Sequence, residues 1–100
     1  MRQKGVIRVD AELKTIEYDR EVCCIYLKFS EERVAKTVEH VPDLINVDFD
    51  KDGKLVGIEF IGVKSLQKLD KNLFIQMSNI YHQPILKQVP HILQKELACS

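Results

Sequence analysis

The stretch Ile45-Asn46-Val47-Asp48-Phe49-Asp50-Lys51-Asp52-Gly53-Lys54-Leu55-Val56-Gly57-Ile58-Glu59-Phe60 decides the fold, because it admits two incompatible readings. As chemistry, Asp48, Asp50, Asp52, Gly53 and Glu59 fit the spacing D-x-[DN]-x-[DN]-G-x5-E of an EF-hand calcium loop. There the carboxylates converge on one ion and the glycine permits a sharp turn. As a chain, both flanks alternate. Ile45, Val47 and Phe49 share one side against Asn46, Asp48 and Asp50, and Val56, Ile58 and Phe60 share one side against Leu55, Gly57 and Glu59. Period-two alternation marks half-buried strands, whereas an EF-hand loop lies between helices. The stretch is therefore read as a hairpin.

Directly opposed residues of an antiparallel pair share a face, so the apolar set selects the register. With Asp52-Gly53 as a two-residue type I′ turn, Phe49 faces Val56, Val47 faces Ile58 and Ile45 faces Phe60. A slip of one sets Phe49 against Leu55, Val47 against Gly57 and Ile45 against Glu59, and burying that carboxylate unpaired is costly. In the favoured register Glu59 opposes Asn46, well away from the Asp50–Gly53 tip. Asp48, Asp50, Asp52 and Glu59 then line the hairpin instead of wrapping one point. They are the alternative metal set, and no cofactor is expected.

Outward from the hairpin, Leu13–Tyr18, Val22–Phe29 and Val34–Val41 read as further strands, and Val6–Val9 as an edge strand. Ile25, Leu27 and Phe29 lie on one face of theirs, with Cys24, Tyr26 and Lys28 on the other. Short links such as Pro42-Asp43 imply antiparallel neighbours, since a parallel crossover needs a dozen residues or more. After Val63 the period changes. Leu66, Leu69, Leu73, Met77 and Ile80 recur at spacings of three and four, with Ser65 as N-cap and Pro84 as outer limit. Pro90 opens a last short helix. The expectation is an α+β domain spanning residues 1–100: an antiparallel β-meander of four to five strands (about 13–60), then one longer helix (about 65–82) and one short helix (about 86–98). Residues 1–63 form the sheet part and 64–100 the helical tail.

The 100 residues carry 15 basic and 15 acidic side chains, 45% apolar and 30% charged residues. Zero balance argues against nucleic acid, whose binders concentrate a basic face. Residues 1–60 hold 10 basic and 13 acidic groups, and residues 61–100 hold 5 and 2. No apolar run approaches the ~18 residues of a membrane span. The basic start Met1-Arg2-Gln3-Lys4 leads into no apolar segment of the signal-peptide kind, so the expected location is the cytoplasm. Cys23, Cys24 and Cys99 form no C-x-x-C and are odd in number, as expected of reduced thiols. His40, His82 and His91 sit on separate segments. A Cys24–His40 pair across strands is the nearest approach to a nucleophile and base.

Tyr18-Asp19-Arg20-Glu21, then Ile25-Tyr26-Leu27-Lys28-Phe29-Ser30, then Ile45 through Phe60, together resemble a small prokaryotic family catalogued as domain of unknown function 2283. Its recurrent pattern runs Y-D-x-E-x-D-A-L-Y-I and later V-D-x-D-x-D-G-x-[IV]-V-G-I-E-[IL]. The likeness covers roughly residues 13–66. Cys23 stands where the family usually has Asp, and the tail from about Leu69 is longer than the common pattern. The resemblance implies a compact antiparallel sheet with a following helix, and no catalytic residue or cofactor. The expected function is a non-enzymatic protein-interaction or oligomerisation module, a homodimer or the partner of an unidentified protein, antitoxin-like by analogy. The alternative is a small-molecule or metal-binding protein, an enzyme among its forms, with a pocket between sheet and helix and Tyr26, Glu59, His40 and Asp48 as its polar groups.

Overall fold

The computed structural model of the chain describes residues 4–8, 13–19, 24–61 and 71–96. Six strands form one antiparallel sheet: β1 (Lys4–Arg8), β2 (Thr15–Asp19), β3 (Cys24–Lys28), β4 (Lys36–Val41), β5 (Ile45–Phe49) and β6 (Leu55–Phe60). Helix α1 (Lys71–Ile80), a 3-10 helix (Pro84–Gln88) and helix α2 (Val89–Glu96) follow. This is the expected α+β architecture, with the Val6–Val9 edge strand realised as β1. Ser65, Cys23 and Cys99 lie outside the described residues.

The strand order is β1-β2-β3-β6-β5-β4, so the sheet is two meanders joined at β3–β6 and not one continuous meander. Strands β3 to β6 form a Greek key. The connection over residues 29–35 carries the chain from β3 past β6 and β5 to the far edge. Seven extended residues reach about 24 Å, ample for three strand spacings of about 14 Å in all. The connection is pinned as it crosses: the Phe29 and Ser30 amides donate to Val56 O at 2.8 and 3.2 Å, and the Ala35 amide donates to Phe49 O at 2.8 Å.

Between β5 and β6, Ile45 faces Phe60, Asn46 faces Glu59 and Val47 faces Ile58, as the apolar pattern requires. The tip differs. Gly53 N donates to Asp50 O at 3.0 Å, Asp50 N donates to Lys54 O at 2.9 Å, and Gly53 alone at the tip has positive φ, at 81°. The loop therefore has three residues, Lys51 to Gly53, with glycine in the left-handed position, and is not the two-residue type I′ turn expected. A three-residue loop sets Phe49 against Leu55, the slipped register. A bulge at Val56 absorbs the extra residue, and the favoured register resumes from Asp48–Gly57.

One face of the sheet is apolar. Ile16, Ile25, Leu27, Ile45, Val47, Ile58 and Phe60 are buried there with Phe74 and Met77 of α1, Leu86 of the 3-10 helix and Val89 of α2. Phe60 and Phe74 stack with centroids 5.5 Å apart. Each buried aliphatic side chain of this kind is worth roughly 1.5–3 kcal/mol.

Helix α1 ends in a Schellman motif. Gln83 N donates to Ser78 O at 3.0 Å, and His82, at φ 55°, occupies the left-handed position where glycine is usual. A Cβ in that region is disfavoured. His82→Gly should raise stability by about 0.5–1 kcal/mol, seen as a melting temperature higher by about 3–6 °C.

Candidate functional site

The residues singled out by their chemistry separate onto the two faces of the sheet. Antiparallel pairing lines up Glu17, Tyr26, Glu59, Asn46 and Glu39 across the outer face, with Thr15, Lys28, Gly57, Asp48 and Thr37 in the adjacent row. Asp48 is the hub. Its Oδ2 accepts from the Tyr26 hydroxyl at 2.9 Å and its Oδ1 accepts from Thr37 Oγ1 at 2.6 Å. Glu59 accepts from Asn46 Nδ2 at 3.3 Å. The Tyr26 ring lies over Gly57, where any Cβ would fall on its phenol, so this glycine makes room for the bond to Asp48. Partial burial, the bond to Asp48 and the charges of Asp48, Glu17 and Glu59 push the Tyr26 phenol far above its usual range.

Asp50 has a different task. It is 9% exposed, and its Oδ1 accepts from the backbone amides of Asp52 at 2.8 Å and Lys54 at 2.9 Å. Its carboxylate folds the turn from inside, as Asp does in an Asx turn. Asp52 is exposed at the tip. The four carboxylates of the EF-hand string are thus distributed among a face hub, a turn, an exposed tip and a cross-strand pair. Among the described residues no group of three or more His, Cys, Asp or Glu side chains is placed to hold a metal ion.

The other expected constellations come apart for a topological reason. Cys24 lies in β3 on the outer face, whereas His40 lies in β4 at the far edge and faces the helices. They are separated by two strands and by the sheet itself, so they form no nucleophile–base pair. The same division keeps Tyr26, Asp48 and Glu59 out of any pocket between sheet and helix, since they point away from the helical layer. His40 instead ties the edge strand to the end of α1. Its Nδ1 lies 2.9 Å from the Tyr81 hydroxyl, and the rings meet edge-on with centroids 5.6 Å apart. Burial lowers the His40 pKa and raises that of Tyr81, which keeps both neutral at pH 7.

The described residues do form a groove of about 500 Å3, at the hairpin-tip end of the sheet. Phe29, Phe49 and Gly53 to Leu55 make one wall, and Ile80 to Gln83 make the other. Gln83 Oε1 is buried without a hydrogen-bond partner among the described residues. A pocket between sheet and helix was the alternative expectation, but this lining was not foreseen, because the groove joins a turn to a helix end across three sequence segments. The one local clue was an His-Gln-Pro sequence ending a helix that has no glycine.

The family model for a protein of unknown function (DUF2283) matches residues 15–64, half of the chain. The chain belongs to this family. The match begins at β2 and runs past β6, so β1 and the helices lie outside it. No curated protein and no solved structure shows significant similarity to the chain. The carboxylate string from Asp48 to Glu59 lies within the matched span and forms the turn and outer-face lattice just described. No helix among the described residues is long and apolar enough to cross a membrane.

Two measurements check this lattice. Calorimetric titration with Ca2+ should show no binding tighter than about 1 mM, the weak end of EF-hand affinities. A micromolar site abolished by Asp50→Asn would restore the metal reading. Tyr26→Phe keeps the ring over Gly57 and removes one donor from Asp48, at a cost of about 1 kcal/mol. Because the folded state raises the Tyr26 pKa, its stabilisation is whole below pH about 10 and fades as the pH rises further. Unfolding free energy should fall above pH 10, less steeply in Tyr26→Phe.

Proposed function

We propose that this protein is a non-enzymatic interaction module that works as a homodimer, pairing through the β4 edge. The observation that carries the reading is the exposure of that edge. β4 is an outermost strand, its first four residues are exposed, and Val34 and Val38 are 42% and 36% accessible. An edge strand offers unpaired backbone groups to another strand, and protective devices normally blunt it.

A second copy fits this edge well. Two-fold antiparallel pairing keeps both helical layers on one side of a continuous sheet. Centred on Val38, it sets Val38 against its own copy and Thr37 against Glu39 of that copy. Lys36 then meets a His40 that burial holds neutral, so no like charges oppose. A different small protein, as in an antitoxin-like pair, is the competing occupant, and the reading places the module in the cytoplasm.

Light scattering behind size exclusion should give about twice the 11.6 kDa chain mass. Val38→Lys sets two ammonium groups face to face, and should yield a folded monomer with unchanged far-ultraviolet circular dichroism. A monomeric wild-type chain at high micromolar concentration overturns self-pairing, and a dimer that survives Val38→Lys overturns the β4 edge.

A further inference from the structure

We propose that the groove between the β5–β6 tip and the end of α1 binds a small amphipathic carboxylate with an aromatic or short aliphatic body. Three separate features of the groove lead there. Its volume of about 500 Å3 falls within the usual range of small-ligand sites, roughly 300–1,000 Å3. Phe29, Phe49, Leu55 and Ile80 supply apolar lining, and Ile80 is 57% exposed without a ligand. Lys54 is the one formally charged side chain of the lining, and no Asp or Glu belongs to it. Of the carboxylates that adjoin the lining in the chain, Asp48 is hydrogen-bonded to Tyr26 and Thr37 on the outer face, Asp50 is held by the backbone amides of Asp52 and Lys54, and Asp52 is exposed at the tip. An apolar body with a single negative end that reaches the Lys54 ammonium matches this arrangement.

Two local irregularities mark the same rim. His82 holds a left-handed backbone where glycine would be less strained, and strain of this kind gathers at binding sites. Beside it, Gln83 Oε1 is a buried acceptor without a donor among the described residues, which the carboxylate, itself an acceptor, meets through a bridging water. The groove contains no residue of β4, so it is a surface separate from the pairing edge.

The test compares 3-phenylpropionate with 3-phenylpropanol, which share a body and differ in charge, by amide chemical-shift titration of the full chain. Saturable shifts should centre on Phe49, Gly53 to Leu55 and Ile80 to Gln83, with a Kd of about 0.1–1 mM for the acid. The acid should bind about fivefold or more tightly than the alcohol. Lys54 is exposed, and Lys54→Glu should keep the amide spectrum of a folded chain while abolishing that preference. His82→Gly should weaken the acid while stabilising the fold. The proposal is overturned by shifts centred elsewhere, by no saturation up to about 5 mM, or by an acid that binds no better than the alcohol.

Discussion

Every side chain of a strand changes face when its register moves by one, so a hairpin must reconcile the turn its tip prefers with the register its core requires. Here the two disagree. Asp50 closes a three-residue loop through its carboxylate and Gly53 takes the left-handed position, which commits the tip to Phe49 against Leu55. Continued inward, that pairing would turn Glu59 toward the helices and Ile58 toward water. The bulge at Val56 returns one residue, and Val47–Ile58 and Ile45–Phe60 close the core. Val56 O, at the bulge, also accepts from the Phe29 and Ser30 amides as the β3–β6 ladder runs on, which anchors the start of the connection crossing to β4. Register, core and Greek-key crossing all meet at this one irregularity.

The same residues explain how much was legible in advance. Alternation over residues 45–60 depends only on which side chains avoid water, and it gave the hairpin, its inner face and the Asn46–Glu59 pair. The bulge was hidden because both candidate registers are real, one at the tip and one in the body. Strand order was hidden for another reason. A seven-residue link is short enough for an adjacent strand and long enough to cross two, and composition does not distinguish these. The separation of Cys24 from His40, and of Tyr26 from the helices, follows from that order and parity. The groove depends on a chain reversal at His82 that sequence periodicity does not encode.

The carboxylate string shows how two unrelated structures converge on one pattern. A tight acidic turn needs an Asp to accept backbone amides and a glycine beyond it at positive φ, and a calcium loop needs the same pair. Asp48 adds the matching first position for a different reason, because two residues before Asp50 lies the outer-face site opposite Thr37. Glu59 adds the last because it stands opposite Asn46. Three requirements of a hairpin thus supply Asp48, Asp50, Gly53 and Glu59 of a metal motif, the exposed tip residue Asp52 completes it, and the flanking period tells the two structures apart. Strand flanks carry the carboxylates up the sheet, whereas helical flanks would fold them around a point.

The two surfaces of the molecule have different origins in the chain. The outer lattice of Tyr26, Asp48, Thr37 and Glu59 lies wholly within the span matched by the family model. The groove does not: its Phe29, Phe49 and Leu55 wall lies inside that span, and its Ile80 to Gln83 wall lies outside. A lattice closed by hydrogen bonds among its own side chains supports the sheet without needing a ligand. A groove whose second wall comes from the helical tail changes shape with any change at the end of α1, and leaves the sheet intact. The carboxylate string therefore belongs to the fold of the matched span, and the groove to the junction of that span with the helices.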